Sequence, residues 1–143
     1  MPIETEHGLL KPIIYLGAIG PAGLLIVKYK TPPNPEKDGW WLPAPEIEYG
    51  EDPAEQVAKL VQDLGLESKR LRPEGVDSFM ANGAWHLVFK YRVDVTGNVE
   101  NENVLYHRWA TAETLPAAAE FAHGQWEYDL CRFFLSTILA DYV

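Results

Sequence analysis

Acidic side chains stand at both ends of a short apolar stretch near the middle of the chain. Glu51 precedes this stretch and Asp63 lies close to its end. Carboxylate oxygens are the ligands that Mg²⁺ prefers, and residues three or four apart on a helix share one face. If the stretch is helical, an acid on one of its faces, together with Glu51 in the loop before it, could hold a divalent metal ion.

The residues between these acids do predict a helix. Asp52 is a favourable N-cap, Pro53 occupies the favoured first position, and Glu55 completes a capping box with Asp52. Gly65 supplies the C-terminal stop. The apolar positions recur with the spacing of one buried helical face, at Val57, Leu60, Val61 and Leu64.

The segments that flank this helix follow a recognisable pattern. They are Trp41-Leu42-Pro43, Glu48-Tyr49-Gly50-Glu51 and Gly65-Leu66. Together with the helix they resemble a Nudix box, G-x5-E-x7-R-E-U-x-E-E-x-G-U, in which U is a bulky apolar residue. In Nudix hydrolases this loop–helix–loop binds a divalent metal. The resemblance implies Mg²⁺ or Mn²⁺ as the cofactor, with Glu51 and Asp63 as metal ligands and catalytic residues.

The centre of the segment departs from the pattern. Ala44-Pro45-Glu46 stands where the family has glycines, and the chain is one residue shorter between Glu51 and Gly65. Two registers are therefore open. Counted from Glu51, the acidic positions fall on Leu60 and Asp63 and one acid is deleted, whereas counted back from Gly65 they fall on Lys59, Gln62 and Asp63. In both registers one acid stands where the family has three.

Two functions follow from this departure. Hydrolysis of a diphosphate linkage needs a metal ion to neutralise phosphate oxygens, and an ammonium or amide in place of a carboxylate weakens metal binding. The sequence favours a protein that binds a nucleotide or another phosphorylated small molecule and hydrolyses it weakly or not at all. The alternative is a divergent hydrolase that cleaves a nucleoside-diphosphate derivative. Lys59 and Asp63 could also simply pair with each other on a solvated surface.

The resemblance also implies where a ligand would lie, beside the box helix and over a sheet. It makes Trp41, Phe79 and Trp85 candidates for stacking on a base or sugar, and Lys90, Arg92 and Arg108 candidates for contacting phosphate. For the aromatic residues the competing interpretation is core packing. For the cations it is a solvated sheet face, because His86, Lys90 and Arg92 alternate along one predicted strand.

Strand and helix signals alternate along the rest of the chain. The sequence predicts a flexible tail over residues 1–11 and one domain over residues 12–143. Strands are predicted over residues 12–20, 22–30, 75–80, 85–95 and 104–110, a short helical turn near residues 111–116, and a long final helix over residues 125–142. This order of elements resembles the Nudix fold, an α/β (α+β) fold in which a mixed sheet is sandwiched between helices.

Composition limits the partners. The formal net charge is −9, whereas binding to nucleic acid or to an anionic membrane requires a basic patch. No apolar run is long enough for a transmembrane helix, and the N-terminus lacks the features of a signal peptide. A single cysteine, Cys131, is typical of a reducing compartment, so we expect a cytoplasmic protein.

The final helix carries apolar residues on more than one face. Its predicted core residues are Trp126, Leu130, Phe133, Phe134 and Ile138, and further apolar residues follow at Leu135, Leu139 and Tyr142. A helix with one apolar stripe needs one partner surface, so this excess predicts self-association as a homodimer.

Overall fold

A computed structural model describes residues 2–45 and 47–141 of the 143-residue chain. The strands are β1 (Ile3–Thr5), β2 (Gly8–Gly20), β3 (Gly23–Tyr29), β4 (Glu67–Ala81), β5 (Ala84–Thr96) and β6 (Val104–Ala110), and the helices are α1 (Pro53–Asp63) and α2 (Gly124–Ala140). A short 3-10 turn spans Ala118–Glu120. No helix among the described residues is long and apolar enough to cross a membrane.

The strands form one mixed sheet of six strands. Its order is β4-β5-β2-β3-β6, and β1 pairs with the beginning of β2. β2 and β5 are parallel, and the other neighbouring strands are antiparallel. The mixed sheet expected from the order of elements is confirmed.

Each face of the sheet packs against one helix. Val57, Val61 and Leu64 of the α1 segment lie in one apolar cluster, which includes alternate residues of β2, β3 and β5. Leu130, Cys131 and Phe134 of α2 lie in a second cluster on the other face. The chain is therefore an α/β/α sandwich, as predicted.

A short segment is inserted into the sheet between β2 and β3. These two strands pair only where they meet at their turn, at Ile19 with Leu24 and Gly20 with Gly23. Further along, Trp41 exchanges backbone hydrogen bonds of 2.8 and 3.0 Å with Val27, and the backbone N–H of Leu16 donates to the carbonyl of Pro43 at 3.1 Å. Residues 41–43 thus lie between the two strands and fix the start of the loop that leads to α1.

The N-terminus differs from the predicted tail. Residues 3–5 and 8–10 belong to a β-hairpin, because β1 pairs with β2 from Ile3 with Leu10 to Thr5 with Gly8. The hydroxyl of Thr5 donates to the carbonyl of Gly8 at 2.8 Å, and Gly8 adopts a φ of +127°, which favours glycine. A tight local turn places this segment in the sheet. No feature elsewhere in the sequence indicates it.

The polar residues of β5 do not form a solvated face, and that interpretation is wrong. His86, Lys90 and Arg92 are buried because α2 covers this side of the sheet. The Lys90 ammonium lies 3.2 Å from an Asp77 oxygen and 4.0 Å from the centre of the Phe133 ring. The ion pair and the ring contact offset part of the free-energy cost of burying the Lys90 charge.

Other boundaries shift slightly. β4 begins at Glu67, eight residues before the predicted strand, since it pairs with β5 along its whole length. A hydrogen-bonded turn is present where the helical turn was expected, since the backbone N–H groups of Thr114 and Leu115 donate to the carbonyl of Thr111 at 3.1 and 3.0 Å, and the 3-10 turn at Ala118–Glu120 follows it. The predicted end of the last helix, at Tyr142, lies outside the described residues, as does Glu46 of the altered glycine segment.

Candidate functional site

A polar cleft of about 280 Å³ lies between α1 and the loop that precedes it. Hydrogen bonds between residues close in sequence shape both sides of the cleft. The Asp52 carboxylate accepts a hydrogen bond of 3.0 Å from the backbone N–H of Ala54, which starts the helix. The backbone N–H of Glu51 donates to the carbonyl of Glu48 at 3.1 Å, a turn that Gly50 permits with a φ of +85°. The cleft is lined by Ala44, Pro45, Glu48, Glu51, Gln56, Lys59, Leu60 and Asp63.

One face of α1 forms the helical wall of this cleft. Its lining residues, Gln56, Lys59, Leu60 and Asp63, have the i, i+3, i+4, i+7 spacing of a single helical face. The neighbouring Val57 and Val61 point into the apolar cluster beneath the helix and are fully buried. The helix therefore separates a packing face from a cleft face.

This geometry favours the register counted from Glu51. In that register the bulky apolar position is Val61, which is buried, and the acidic positions are Leu60 and Asp63, which line the cleft. The other register would assign an acidic position to Gln62, which is exposed and does not line the cleft. The missing residue then falls at the end of the helix, where Leu64 caps α1 and Gly65 adopts a φ of +81°.

The cleft combines three carboxylates with one ammonium. Glu48, Glu51 and Asp63 all line it, and Lys59 stands on the same helical face. Lys59 and Asp63 form no ion pair within the described part of the chain, so the predicted pairing between them is not observed. The formal charge of the lining side chains is −2 at neutral pH, one cation against three anions.

The donor set does not fit the Mg²⁺ or Mn²⁺ ion that the resemblance implies. Carboxylate oxygens are the right chemistry for either ion. However, no group of three or more His, Cys, Asp or Glu side chains is placed to hold a metal ion among residues 2–45 and 47–141. Lys59 also brings a positive charge to the face that would have to meet the ion.

A cluster of aromatic rings lies where α2 begins. Trp41 packs edge-on against His123, with ring centres 4.9 Å apart, and Tyr15 packs edge-on against Trp126 at 5.1 Å. Phe79 stacks on His86 at 4.9 Å and contacts Trp126 at 6.1 Å. We call these rings the aromatic cluster: Tyr15, Trp41, Phe79, His86, His123 and Trp126.

A buried carboxylate anchors the aromatic cluster. Glu127 is fully buried, and it accepts hydrogen bonds from the backbone N–H of Leu42 at 2.8 Å and of His123 at 3.1 Å. Burial, and secondarily the charge of Glu127, raises the pKa of Tyr29 to about 12 and the pKa of Tyr15 further still. Glu127 thereby fastens the start of α2 to the segment that leads into the cleft.

Sequence reasoning missed Glu127, although a signal was present. Glu127, Leu130, Cys131 and Phe134 share the spacing of one helical face, and all four are buried. An acid within an apolar stripe predicts a buried carboxylate with specific donors.

The structure separates the predicted ligand-contact residues. Trp41 and Phe79 belong to the aromatic cluster. Trp85 lies on the other face of the β4–β5 hairpin, where it pairs with Met80 and is 49% exposed. Lys90 and Arg92 lie under α2, on the face opposite α1.

Arg108 takes a different position, at the outer strand of the sheet. It is exposed on β6, donates to the carbonyl of Thr114 at 3.0 Å and covers the Trp40 ring at 4.9 Å. Of the eight predicted site residues, only Glu51 and Asp63 line the cleft.

No protein-family model matches the chain, and no curated protein sequence does either.

Comparison of structures gives a clear result. A MutT Nudix hydrolase from Burkholderia pseudomallei superposes with a TM-score of 0.60 at 21% identity, over 88% of this chain and 97% of that one. A Nudix hydrolase from Nitrosomonas europaea gives 0.63 at 17% identity, over 92% and 90%. A mutant form of the Bacillus subtilis pyrophosphohydrolase BsRppH gives 0.69 at 12% identity, over 96% and 84%. The chain has the Nudix fold.

Proposed function

We propose that this protein binds a nucleotide or another phosphorylated small molecule and hydrolyses it weakly or not at all. One observation carries the proposal: the helical face that lines the cleft presents a single acid, Asp63, beside the apolar Leu60 and the cationic Lys59. Fold does not fix function, and the side chains at the site decide the chemistry.

The cleft offers a contact for the phosphate of such a ligand, and the aromatic cluster is a separate surface with partly covered rings. The Lys59 ammonium is a hydrogen-bond donor and a cation for a phosphate oxygen. Phe79 and Trp126 are only partly covered and offer ring surfaces for stacking. The segment from Trp41 to Pro45 joins the two regions, because Trp41 belongs to the cluster and Pro45 lines the cleft.

The net negative charge of the cleft limits how many phosphate charges a ligand can carry. With three carboxylates against one ammonium, the lining repels highly charged anions. A ligand with one phosphate, or with a diphosphate esterified at both ends, suits this lining better than a triphosphate. We therefore expect affinity to fall along the series from nucleoside monophosphate to triphosphate.

A second function has one observation in its favour. Glu48, Glu51 and Asp63 line the same cleft, although they are not grouped as a metal site. A divergent hydrolase acting on a nucleoside-diphosphate derivative would use Glu51 and Asp63, with acids from neighbouring loops.

The decisive experiment measures turnover and binding side by side. Purified protein is incubated with a panel of nucleoside-diphosphate derivatives and Mg²⁺ or Mn²⁺, and ligand binding is followed by thermal stabilisation. We expect stabilisation without turnover, and loss of stabilisation in Lys59→Ala. Lys37→Ala, which removes an exposed lysine outside the cleft, is the matched control. Turnover that disappears in both Asp63→Ala and Glu51→Gln would establish the hydrolase instead.

The remaining expectations about partners and compartment belong to the same proposal. The net charge of −9 argues against nucleic acid and anionic membranes as partners. The single cysteine, Cys131, is buried, and burial raises its pKa above the ordinary range. A buried, protonated thiol is consistent with a protein that works in a reducing compartment such as the cytoplasm.

A further inference from the structure

A larger groove lies on the side of the sheet that α2 covers, away from the cleft. Its volume is about 860 Å³. The turn between β2 and β3 forms one wall, the last residues of β5 form the floor, and the C-terminal half of α2 forms the other wall. None of its lining residues lines the cleft beside α1.

The helical wall of the groove presents three apolar residues that are incompletely covered. Leu135 and Ile138 are partly exposed, and Leu139 is 71% exposed. Ile19 of β2 also lines the groove, although it is itself buried. Exposed apolar surface that is contiguous in this way marks an interaction site more often than scattered single residues do.

The charges that line the groove are balanced. Arg92, Asp94 and Asp141 satisfy one another, since Arg92 Nη2 lies 2.7 Å from Asp141 and Arg92 Nε lies 3.0 Å from Asp94. Arg132 on α2 and Glu113 in the turn after β6 form no ion pair with any residue in 2–45 or 47–141. The groove therefore carries one unpaired cation on α2 and one unpaired anion in the turn after β6.

We propose that this groove is the interface of a homodimer with two-fold symmetry. Leu139 of each copy lies in the groove of the other, and Arg132 of each copy faces Glu113 of the partner subunit. In an isologous contact residue i meets residue j twice, so one cation and one anion in the same patch satisfy each other in both directions.

Electrostatics favour a second copy as the occupant. The chain has a net charge of −9, so two copies repel each other across most of their surfaces. The groove is different, because its lining has three basic side chains, Lys69, Arg92 and Arg132, against three acidic ones, Asp94, Glu113 and Asp141. Two copies can therefore approach at this patch without the repulsion that opposes contact elsewhere.

Sedimentation equilibrium over a wide concentration range tests the proposal. We expect a monomer–dimer equilibrium whose dissociation constant rises by about tenfold or more in Leu139→Glu, because a charge would then be buried in the interface. Leu105→Glu is the matched control, since Leu105 is a 50% exposed leucine on β6, outside the groove. This variant should dimerise like the wild type.

A charge exchange tests the pairing itself. Glu113→Arg and Arg132→Glu should each weaken the dimer, and the double variant should recover most of the loss, since both ion pairs are restored with reversed sign. A wild-type monomer at every concentration overturns the proposal, as does equal weakening by Leu139→Glu and Leu105→Glu. Ligand binding in the cleft is measured separately and does not decide this outcome.

Discussion

Asp141, the last described residue of the chain, lies 2.7 Å from Arg92 Nη2 through one carboxylate oxygen and 3.1 Å from Arg72 Nη2 through the other. Arg92 also donates to the carbonyl of Thr137 at 3.0 Å. The contacts tie the end of α2 to β4 and β5, the two strands that form the long hairpin. They close the sandwich at the end of the sheet opposite the aromatic cluster.

This ion pairing makes stability depend on pH. Hydrogen bonds from Arg92 and then Arg72 hold the pKa of Asp141 below its ordinary value. A carboxyl group with a lowered folded-state pKa stabilises the protein above its unfolded-state pKa, and this contribution is lost as the pH falls from about 4 downward through the folded-state value. We predict that Asp141→Asn is less stable than the wild type at neutral pH and that the difference shrinks in acid.

Urea unfolding at neutral pH and at about pH 3 measures this difference. Asp129→Asn is the control, because Asp129 also lies on α2 but accepts a hydrogen bond from Gln125 on the exposed surface. A pH-independent difference between Asp141→Asn and the wild type would contradict the assignment.

A second prediction concerns the buried carboxylate of Glu127. Glu127→Ala leaves the N–H groups of Leu42 and His123 without their acceptor. A buried donor without a partner costs its full desolvation, so we expect the free energy of unfolding to fall by about 3 kcal/mol. Glu127→Gln should cost less, because its amide oxygen can still accept from Leu42.

Chemical unfolding of both variants gives the comparison, with Gln125→Ala on the exposed face of α2 as the control. Thermal stabilisation by ligand should also weaken in Glu127→Ala, because residues 41–45 connect this carboxylate to the cleft. Equal losses in Glu127→Ala and Glu127→Gln would show that the carboxylate oxygens are not what holds Leu42.

A third prediction tests the face of α1. If Leu60 occupies an acidic position of the pattern, Leu60→Glu adds a carboxylate three residues before Asp63, on the face that lines the cleft. We expect Mn²⁺ to bind about tenfold or more tightly than in the wild type, as measured by the loss of the free Mn²⁺ signal in electron paramagnetic resonance.

Gln62→Glu adds the same charge to the same helix outside the cleft, and it is the matched control. It should leave Mn²⁺ affinity close to that of the wild type. Leu60 is partly buried against the core, so circular dichroism must show that Leu60→Glu remains folded. Tighter Mn²⁺ binding in Gln62→Glu than in Leu60→Glu would support the register counted back from Gly65.

Local signals explain which parts of the fold were predictable. α1 follows from its cap, its first proline and its apolar spacing, all within about fifteen residues of sequence. β6 has the predicted bounds, Val104 to Ala110, because a polar loop precedes it and a turn follows. These features require no knowledge of distant partners.

The burial of Arg92 was not predictable in the same way. Polar residues alternating along β5 are typical of a solvated sheet face, and only the arrival of α2 covers them. The Arg92 guanidinium meets Thr137, 45 positions later in the chain. Such a contact depends on how α2 crosses the sheet, which no local pattern encodes. The same holds for the cleft, since Glu48 and Asp63 line one cleft only because of the path of the loop.

The final prediction concerns a close approach between α2 and the sheet. A Cβ placed on Gly17 of β2 would lie within 2.3 Å of a ring carbon of Phe134. Gly17→Ala must therefore displace this ring, which is fully buried. Overpacking of a core in this way costs about 1–3 kcal/mol. We predict a loss of unfolding free energy in that range.

A double-mutant cycle separates this steric conflict from a general backbone effect. Phe134→Ala alone leaves a cavity and should cost about 3–5 kcal/mol. In the Phe134→Ala background the added methyl group of Gly17→Ala enters vacant space, so its cost should vanish or change sign. Urea unfolding of the four proteins gives the coupling energy. Strictly additive losses would mean that the ring and the glycine do not constrain each other, and that α2 does not pack against β2 at this point.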